Sequence, residues 1–169
     1  MLVLFRPIDE APSELELVLT RRSRDLLSHS GQVAFPGGGF EHTDRDATDT
    51  ALRETEEELG IERSAIEVIG RLDDFDTITG YHLSPVVGLL TRQVSFRPDA
   101  SEVARVFSVP LTLLMDEDRW RTQLHRYGGE QFPVWHLGYD GEHIWGVTAA
   151  ILRGLIELLR DEPTIMGGG

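Results

Sequence analysis

The chain has 169 residues, no cysteine and a formal net charge of −13, with 40% hydrophobic and 27% charged residues. This length and composition are ordinary for a globular protein, and we expect a single domain over residues 1–169. The absence of cysteine excludes disulfides and thiolate chemistry, the acidity argues against nucleic-acid binding, and no apolar run is long enough for a membrane span. Residues 1–6 also lack the basic start of a signal peptide, so we expect a cytoplasmic protein acting on a small molecule. The oligomeric state is left open.

Strand patterns dominate the first third of the chain and lead into one helix. Residues 15–21 alternate and are rich in Leu and Val, and residues 32–35 form a short strand that runs into a glycine turn. The helix that follows is expected to begin at a cap on Asp44 or Asp46, to run to about Leu59 and to stop at Gly60.

The rest of the chain predicts further strands and a closing helix. The strand-like runs are residues 65–73, 81–91 and 103–109, a hairpin of 120–127 with 132–137, and a helix over 147–160. This order predicts the α+β class, a mixed α/β/α sandwich with a mixed β-sheet between helices. Residues 164–169 are expected to form a frayed tail.

A cluster of glutamates on the first helix predicts a metal site. Glu54, Glu57 and Glu58 stand in an i, i+3, i+4 relation and share one helix face, where each like-charged pair costs about 0.2–0.5 kcal/mol. A divalent cation removes that repulsion, and oxygen ligands favour Mg²⁺ or Mn²⁺ over zinc. Charge runs are usually solvated faces, but the glycine turn, Arg53 and Gly60 in register favour metal binding. Glu56 points away from this face and is expected to be solvated.

Two further groups of residues suit an anionic substrate. The backbone of Gly37, Gly38 and Gly39 can approach phosphate and metal closely. Guanidinium groups grip phosphate with two parallel hydrogen bonds, and we expect at least one of Arg21, Arg22 and Arg24 to contact substrate.

Residues 38–61 resemble the Nudix box, in which a Gly is followed by an acidic residue and then by R-E-x-x-E-E-x-G. The matching residues are Arg53, Glu54, Glu57, Glu58 and Gly60, with Ile61 at the closing apolar position. The first half departs from the pattern. Counted from Gly39, the expected Glu falls on Arg45; counted from Gly38, an acid falls in place at Asp44 with one extra residue before Arg53.

A second segment is similar to the extra motif of the coenzyme A pyrophosphatase branch of this family. Residues 19–38 read LTRRSRDLLSHSGQVAFPGG, and Leu27 stands where the motif has Arg. The runs Ser101-Glu102-Val103 and Ile144–Ala149 are also similar to this branch. The resemblance thus covers most of the chain.

The resemblance implies a Nudix fold and a hydrolase that depends on Mg²⁺ or Mn²⁺. Its substrate would be coenzyme A, cleaved at the diphosphate to 4′-phosphopantetheine and adenosine 3′,5′-bisphosphate. The alternatives are hydrolysis of another nucleoside diphosphate derivative, such as ADP-ribose or a dinucleotide, and a non-catalytic nucleotide sensor.

The expected site residues fall into three groups. The metal ligands would be Glu54, Glu57, Glu58 and Gly38. The catalytic residues would be Arg53, Glu54, Glu57 and Glu102, with Glu54 the first candidate for the general base and Glu102 the second. The substrate would be held by Arg21, Arg22, Arg24, Gly37 and Gly38.

Rings near the glycine turn leave two alternatives open. His29 suits either a contact with substrate or a hydrogen bond within its turn, and Tyr81 lies near a possible loop mouth. The other five histidines show no metal-ligand spacing. Core packing is expected for Trp120, Trp135 and Trp145, ahead of stacking on adenine.

Overall fold

The computed structural model describes residues 1–9 and 11–161, so the expected tail at 164–169 lies outside the described residues. The chain divides into two compact units, Met1–Leu111 and Thr112–Gly169. The single domain over residues 1–169 stays a prediction. Within the described residues, no helix is both long and apolar enough to cross a membrane.

The first unit is built on a six-stranded mixed sheet. Its strands are β1 (Leu2–Ile8), β2 (Ala11–Arg22), β3 (Val33–Ala34), β4 (Ile66–Arg71), β7 (Val86–Leu90) and β8 (Val103–Pro110). A separate two-stranded ribbon consists of β5 (Phe75–Asp76) and β6 (His82–Leu83). Strands β1 and β7 run parallel, whereas β2 pairs antiparallel with β1, β3 and β8, and β4 pairs antiparallel with β7.

The centre of this sheet is covered on both faces. Residues Leu2–Phe5 of β1 and Leu17–Leu19 of β2 are buried at every position, which is the pattern of strands enclosed from both sides. The helix α1 (Ala47–Leu59) contributes Ala51 and Leu59 to the same apolar cluster as Leu2 and Leu4. Burial of this apolar surface fixes the helix against the sheet.

Helix α1 has well-defined ends. The Asp46 carboxylate accepts a hydrogen bond from the backbone N–H of Asp49 at 2.8 Å, so Asp46 rather than Asp44 is the N-cap. Gly60 ends the helix in the left-handed region (φ 65°) and donates its N–H to the carbonyl of Glu56. The helix therefore occupies the predicted span.

The second unit consists of a three-stranded antiparallel sheet with one long helix. The helical turn α2 (Leu111–Leu114) precedes β9 (Arg121–Tyr127), β10 (Glu130–Tyr139), β11 (Glu142–Trp145) and α3 (Gly146–Asp161). Gly128 and Gly129, both at positive φ, form the tight turn between β9 and β10, as the hairpin prediction requires. Trp120 is buried and donates its indole N–H to the carbonyl of Leu114, in agreement with core packing.

The α+β class is confirmed, and the differences are local. The predicted run 81–91 is divided into β6 and β7 around Pro85, which has no N–H to give to a sheet ladder. Strand β2 is longer than predicted because it begins at Ala11. The short elements β5, β11 and α2 escaped prediction because two to four residues are too few for a periodicity to show.

Candidate active site

The glycine turn lies directly against two glutamates of α1. A Cβ atom added to Gly38 would lie 2.5 Å from the carboxyl carbon of Glu54, well inside contact distance. The backbone N–H of Gly37 donates to Oε2 of Glu58 at 2.9 Å. The absence of side chains in the turn is what lets both carboxylates approach its main chain.

Glu58 is a buried carboxylate with little to stabilise its charge. Only 4% of the residue is exposed, and burial raises the pKa of Glu58 to about 7. The Gly37 hydrogen bond and the positive charge of Arg22 oppose this rise in pKa, while the charges of Glu102 and Glu54 add to it. Near neutral pH this site therefore favours either a proton or a bound cation.

Glu54 lies beside it and is also largely buried, with 15% of its side chain exposed. Burial raises the pKa of Glu54, and the neighbouring charges of Glu57 and Glu102 act in the same direction. The hydrogen bond that Nη1 of Arg53 donates to Oε1 of Glu54, at 2.9 Å, opposes this rise in pKa. A carboxylate whose pKa is moved toward neutrality suits proton transfer.

Arg53 is the centre of a hydrogen-bond network at the side of this pair. Its Nε and Nη2 donate to the two oxygens of Asp44, at 2.8 and 3.0 Å, and Nη2 also donates to the carbonyl of Gly39 at 2.9 Å. Its Nη1 reaches Glu54 and, at 3.0 Å, Glu57. The ion pair between Arg53 and Glu57 is thus one contact among several.

Both oxygens of the Asp44 carboxylate accept hydrogen bonds from other residues of the protein. Its side chain is 2% exposed, and it accepts from Arg53, from the N–H of Glu41 and from the hydroxyl of Thr50. These donors, Arg53 first, hold the pKa of Asp44 well below its usual range. Arg45, at the other possible position of the box acid, is exposed and pairs with Asp49. Asp44 therefore positions Arg53 through both of its carboxylate oxygens.

The three glutamates of the shared face lie at different depths. Glu57 has 59% of its side chain exposed, Glu54 is half-buried, and Glu58 is buried. In the described part of the chain, no three His, Cys, Asp or Glu side chains converge into a group that could hold a metal ion. The donors nearest to the glycine turn are the carboxylates of Glu54 and Glu58, which suit a hard divalent cation. Glu56 is exposed and pairs with Arg63, as expected of a solvated residue.

Arg22 supplies positive charge near Glu58. It is half-buried, its charge lowers the pKa of Glu58, and in the described part of the chain its buried Nε has no hydrogen-bond partner. A guanidinium whose donors are not all satisfied by the protein suits an anionic ligand. Arg21 is also half-buried and lies in register with Arg105, and Arg24 is exposed.

Glu102 is brought to the site from a distant part of the sequence. The N–H groups of Arg97 and Asp99 donate to the carbonyls of Leu59 and Glu58 at the end of α1, at 2.8 and 2.9 Å. The carbonyl of Asp99 then accepts from the N–H of Glu102 at 3.0 Å. On the other side, the carbonyl of Glu102 accepts from Ser23 at 2.7 Å. Glu102 is exposed and lies within electrostatic range of Glu54 and Glu58.

Sequence reasoning missed two features of this cluster. The double hydrogen bond from Arg53 to Asp44 escaped it, although the acid at the correct distance from Gly38 was the available signal. The acceptor role of the Gly39 carbonyl also escaped it, since a backbone contact leaves no mark in a residue pattern.

Comparison with a family model places this site in a known family. The model described as the NUDIX domain matches residues 4–126, which include the glycine turn, α1 and Glu102. A protein of Pectobacterium atrosepticum named "Uncharacterized Nudix hydrolase NudL" is 40% identical over 147 residues, covering 87% of this chain and 77% of its own length. Its namesake from Escherichia coli K12 is 43% identical with the same coverage.

Solved structures with the same architecture agree on the fold. A Nudix hydrolase from M. smegmatis, RenU, superposes with a TM-score of 0.60 at 17% identity, covering 97% of this chain and 86% of its own. The C. elegans Ap4A hydrolase superposes with a TM-score of 0.59 at 15% identity, covering 95% of this chain and 96% of its own. The mixed sheet and helix α1 are thus those of the Nudix fold, and the chain belongs to the Nudix hydrolase family.

Proposed function

We propose that this Nudix hydrolase cleaves the diphosphate of coenzyme A or its derivatives with the help of Mg²⁺ or Mn²⁺. The observation that carries the metal-dependent chemistry is the pair of carboxylates against the glycine turn, the half-buried Glu54 and the buried Glu58. The choice of coenzyme A rests on the similarity of residues 19–38 to the coenzyme A pyrophosphatase motif.

The residues of the site fit a divalent cation. Glu54 and Glu58 would hold it, with Glu57 at the exposed rim and the main chain of Gly38 beside Glu54. When bound, such an ion neutralises charge on the diphosphate and lowers the pKa of its water. Burial raises the pKa values of Glu54 and Glu58, as expected of carboxylates whose charge a cation would balance.

The remaining residues would bind substrate and move a proton. Arg22 would donate to a diphosphate oxygen through the guanidinium whose Nε has no partner inside the protein. Glu54, held at Oε1 by Arg53, would accept the proton of the attacking water. Glu102, exposed near both carboxylates, is the second candidate for that base. Arg21, Arg24 and the Gly37 backbone complete the proposed substrate contacts.

One observation favours a second substrate. Leu27, at the position where the coenzyme A motif has Arg, is fully exposed in the loop between β2 and β3. A leucine there cannot bind a phosphate, so another nucleoside diphosphate derivative such as ADP-ribose is the second candidate.

The test is a product-resolved assay with coenzyme A and ADP-ribose offered separately in Mg²⁺ or Mn²⁺. We expect 4′-phosphopantetheine and adenosine 3′,5′-bisphosphate from coenzyme A, no reaction after chelation, and loss of turnover in Glu58→Gln. The matched control is Glu56→Gln, which removes a charge from the same helix at an exposed position. Cleavage of ADP-ribose alone would move the proposal to the second substrate, and binding of nucleotide without turnover of either would support a sensor.

A further inference from the structure

An exposed pair of aromatic rings stands outside the carboxylate site. The rings of His29 and Tyr81 meet edge to face, with centroids 6.2 Å apart and an interplanar angle of 69°. Tyr81 is 56% exposed, and His29 is exposed as well. Because an edge contact covers at most one face of one ring, flat aromatic surface remains open to solvent.

The His29 side chain and the Tyr81 backbone are each held by a residue of their own loop. Nδ1 of His29 lies 3.0 Å from Oε1 of Gln32, and the His29 backbone occupies the left-handed region (φ 54°). Thr77 fixes the backbone of Tyr81 twice, because its hydroxyl accepts from the Tyr81 N–H and its own N–H donates to the Tyr81 carbonyl, each at 2.8 Å. A non-glycine residue at positive φ costs free energy, and such residues concentrate at binding sites.

The aromatic pair is linked to the phosphate side of the site through one residue. The N–H of Arg22 donates to the carbonyl of Gln32 at 2.9 Å, and the side chain of Gln32 in turn contacts His29. The loop that carries His29 therefore leaves β2 at the arginine whose charge acts on Glu58, and returns beside it.

We propose that His29 and Tyr81 form the platform on which the base of the substrate nucleotide stacks. The inference rests on the proposed function for its substrate class, a nucleoside diphosphate derivative. A diphosphate held by Arg22 leaves its nucleoside to extend from the carboxylate site, and the aromatic pair is the exposed flat surface linked to that arginine. Stacking needs only the face of a base, so ordered rings with open faces suffice. Pre-ordering by Gln32 and Thr77 reduces the entropy lost on binding.

The contact has a plainer interpretation, in which the two rings only join the β2–β3 loop to the β5–β6 turn. That interpretation predicts equal losses for ligands with and without a base when the contact is removed. The platform predicts a loss confined to ligands that carry a base.

Binding of two matched ligands separates these interpretations without relying on turnover. Isothermal titration in Mg²⁺ would compare α,β-methylene-ADP with methylenediphosphonate, which has the same bridged phosphorus pair and no nucleoside. We expect Tyr81→Ala to weaken α,β-methylene-ADP about tenfold and to leave methylenediphosphonate unchanged, while Tyr81→Phe keeps the affinity within about twofold. Ile78→Ala is the matched control, because Ile78 lies on the same turn with 58% exposure.

The outcomes are distinct from those of the hydrolysis assay. Selective loss of α,β-methylene-ADP in Tyr81→Ala supports the platform even if neither coenzyme A nor ADP-ribose is turned over. Equal weakening of both ligands, or an affinity for α,β-methylene-ADP that matches Ile78→Ala, overturns it.

Discussion

Two buried carboxylates, Asp44 just before helix α1 and Glu58 in its last turn, have pKa values shifted in opposite directions. Asp44 receives two hydrogen bonds from Arg53 and two more from Glu41 and Thr50, and its pKa is lowered. Glu58 receives one backbone hydrogen bond, and burial raises its pKa to about 7. The hydrogen bonds of the first carboxylate are supplied by the fold, whereas no described residue forms an ion pair with the second. That difference separates the residue that positions Arg53 from the residue that we propose binds the cation.

The largest expected effect is the loss of turnover when the charge of Glu58 is removed. Glu58→Gln should reduce kcat/KM by about 10³-fold or more, because a charge that binds the cation is lost. The same variant should be as stable as the wild type, or about 1 kcal/mol more stable, in chelator at pH 7.5, since it buries no charge. Steady-state kinetics and urea unfolding of one preparation measure both. A marked loss of stability in Glu58→Gln would show that the protein stabilises the Glu58 carboxylate as it does that of Asp44.

Removing Arg53, the charged partner of Asp44, should act mainly on stability. Arg53→Met removes the positive charge next to the buried Asp44 and leaves only the hydrogen bonds from Glu41 and Thr50, which costs about 3 kcal/mol of unfolding free energy. Arg45→Met is the matched control, because that arginine is 83% exposed in its ion pair and its loss should cost far less stability. Equal losses of unfolding free energy in the two variants, measured by urea unfolding in chelator, would contradict the special role of Arg53 beside Asp44.

The two carboxylates should also give opposite pH dependences in the absence of metal. Glu58 has a folded pKa above its ordinary value of 4.5, so its contribution to stability is fully present below pH 4.5 and is lost as the pH rises through about 7. Asp44 has a lowered folded pKa, so its contribution is present above pH 3.8 and is lost as the pH falls below that value. Urea unfolding in chelator at pH 5, 6, 7 and 8 measures the Glu58 window, and Glu58→Gln should lose that part of the slope.

The smallest expected effect concerns the glycine turn. Gly38→Ala places a Cβ against the Glu54 carboxylate, which a flexible side chain can avoid by moving. We expect about a tenfold fall in kcat/KM from the displaced carboxylate, with less than about 1 kcal/mol lost in stability. Gly39→Ala is the control, because nothing lies within 4 Å of its added Cβ. Full activity in Gly38→Ala would mean that the close approach to Glu54 is not used.

The features predicted from the sequence were those that leave a periodic pattern or a fixed spacing of residues. The span of α1, the long strands and the hairpin at Gly128-Gly129 followed from apolar repeats and turn residues. The three glutamates were predicted from their spacing, which places them on one face of helix α1. The different depths of Glu54, Glu57 and Glu58 did not follow, because burial depends on the glycine turn packing over one end of the helix. The role of Asp44 did not follow either, since an extra residue shifted it from the expected register and only its contact with Arg53 identifies it.

The backbone hydrogen bonds at the end of α1 have a consequence for how this chain tolerates insertions. Residues 97 and 99 are attached to the carbonyls of Leu59 and Glu58, so the helix itself sets where the next residues begin. A one-residue insertion or deletion between Asp99 and Glu102 would therefore break the hydrogen bond between them and move Glu102 away from Glu54 and Glu58. The segment before Arg97 is fixed as well, because Val94 and Phe96 pack against the apolar cluster of the first unit.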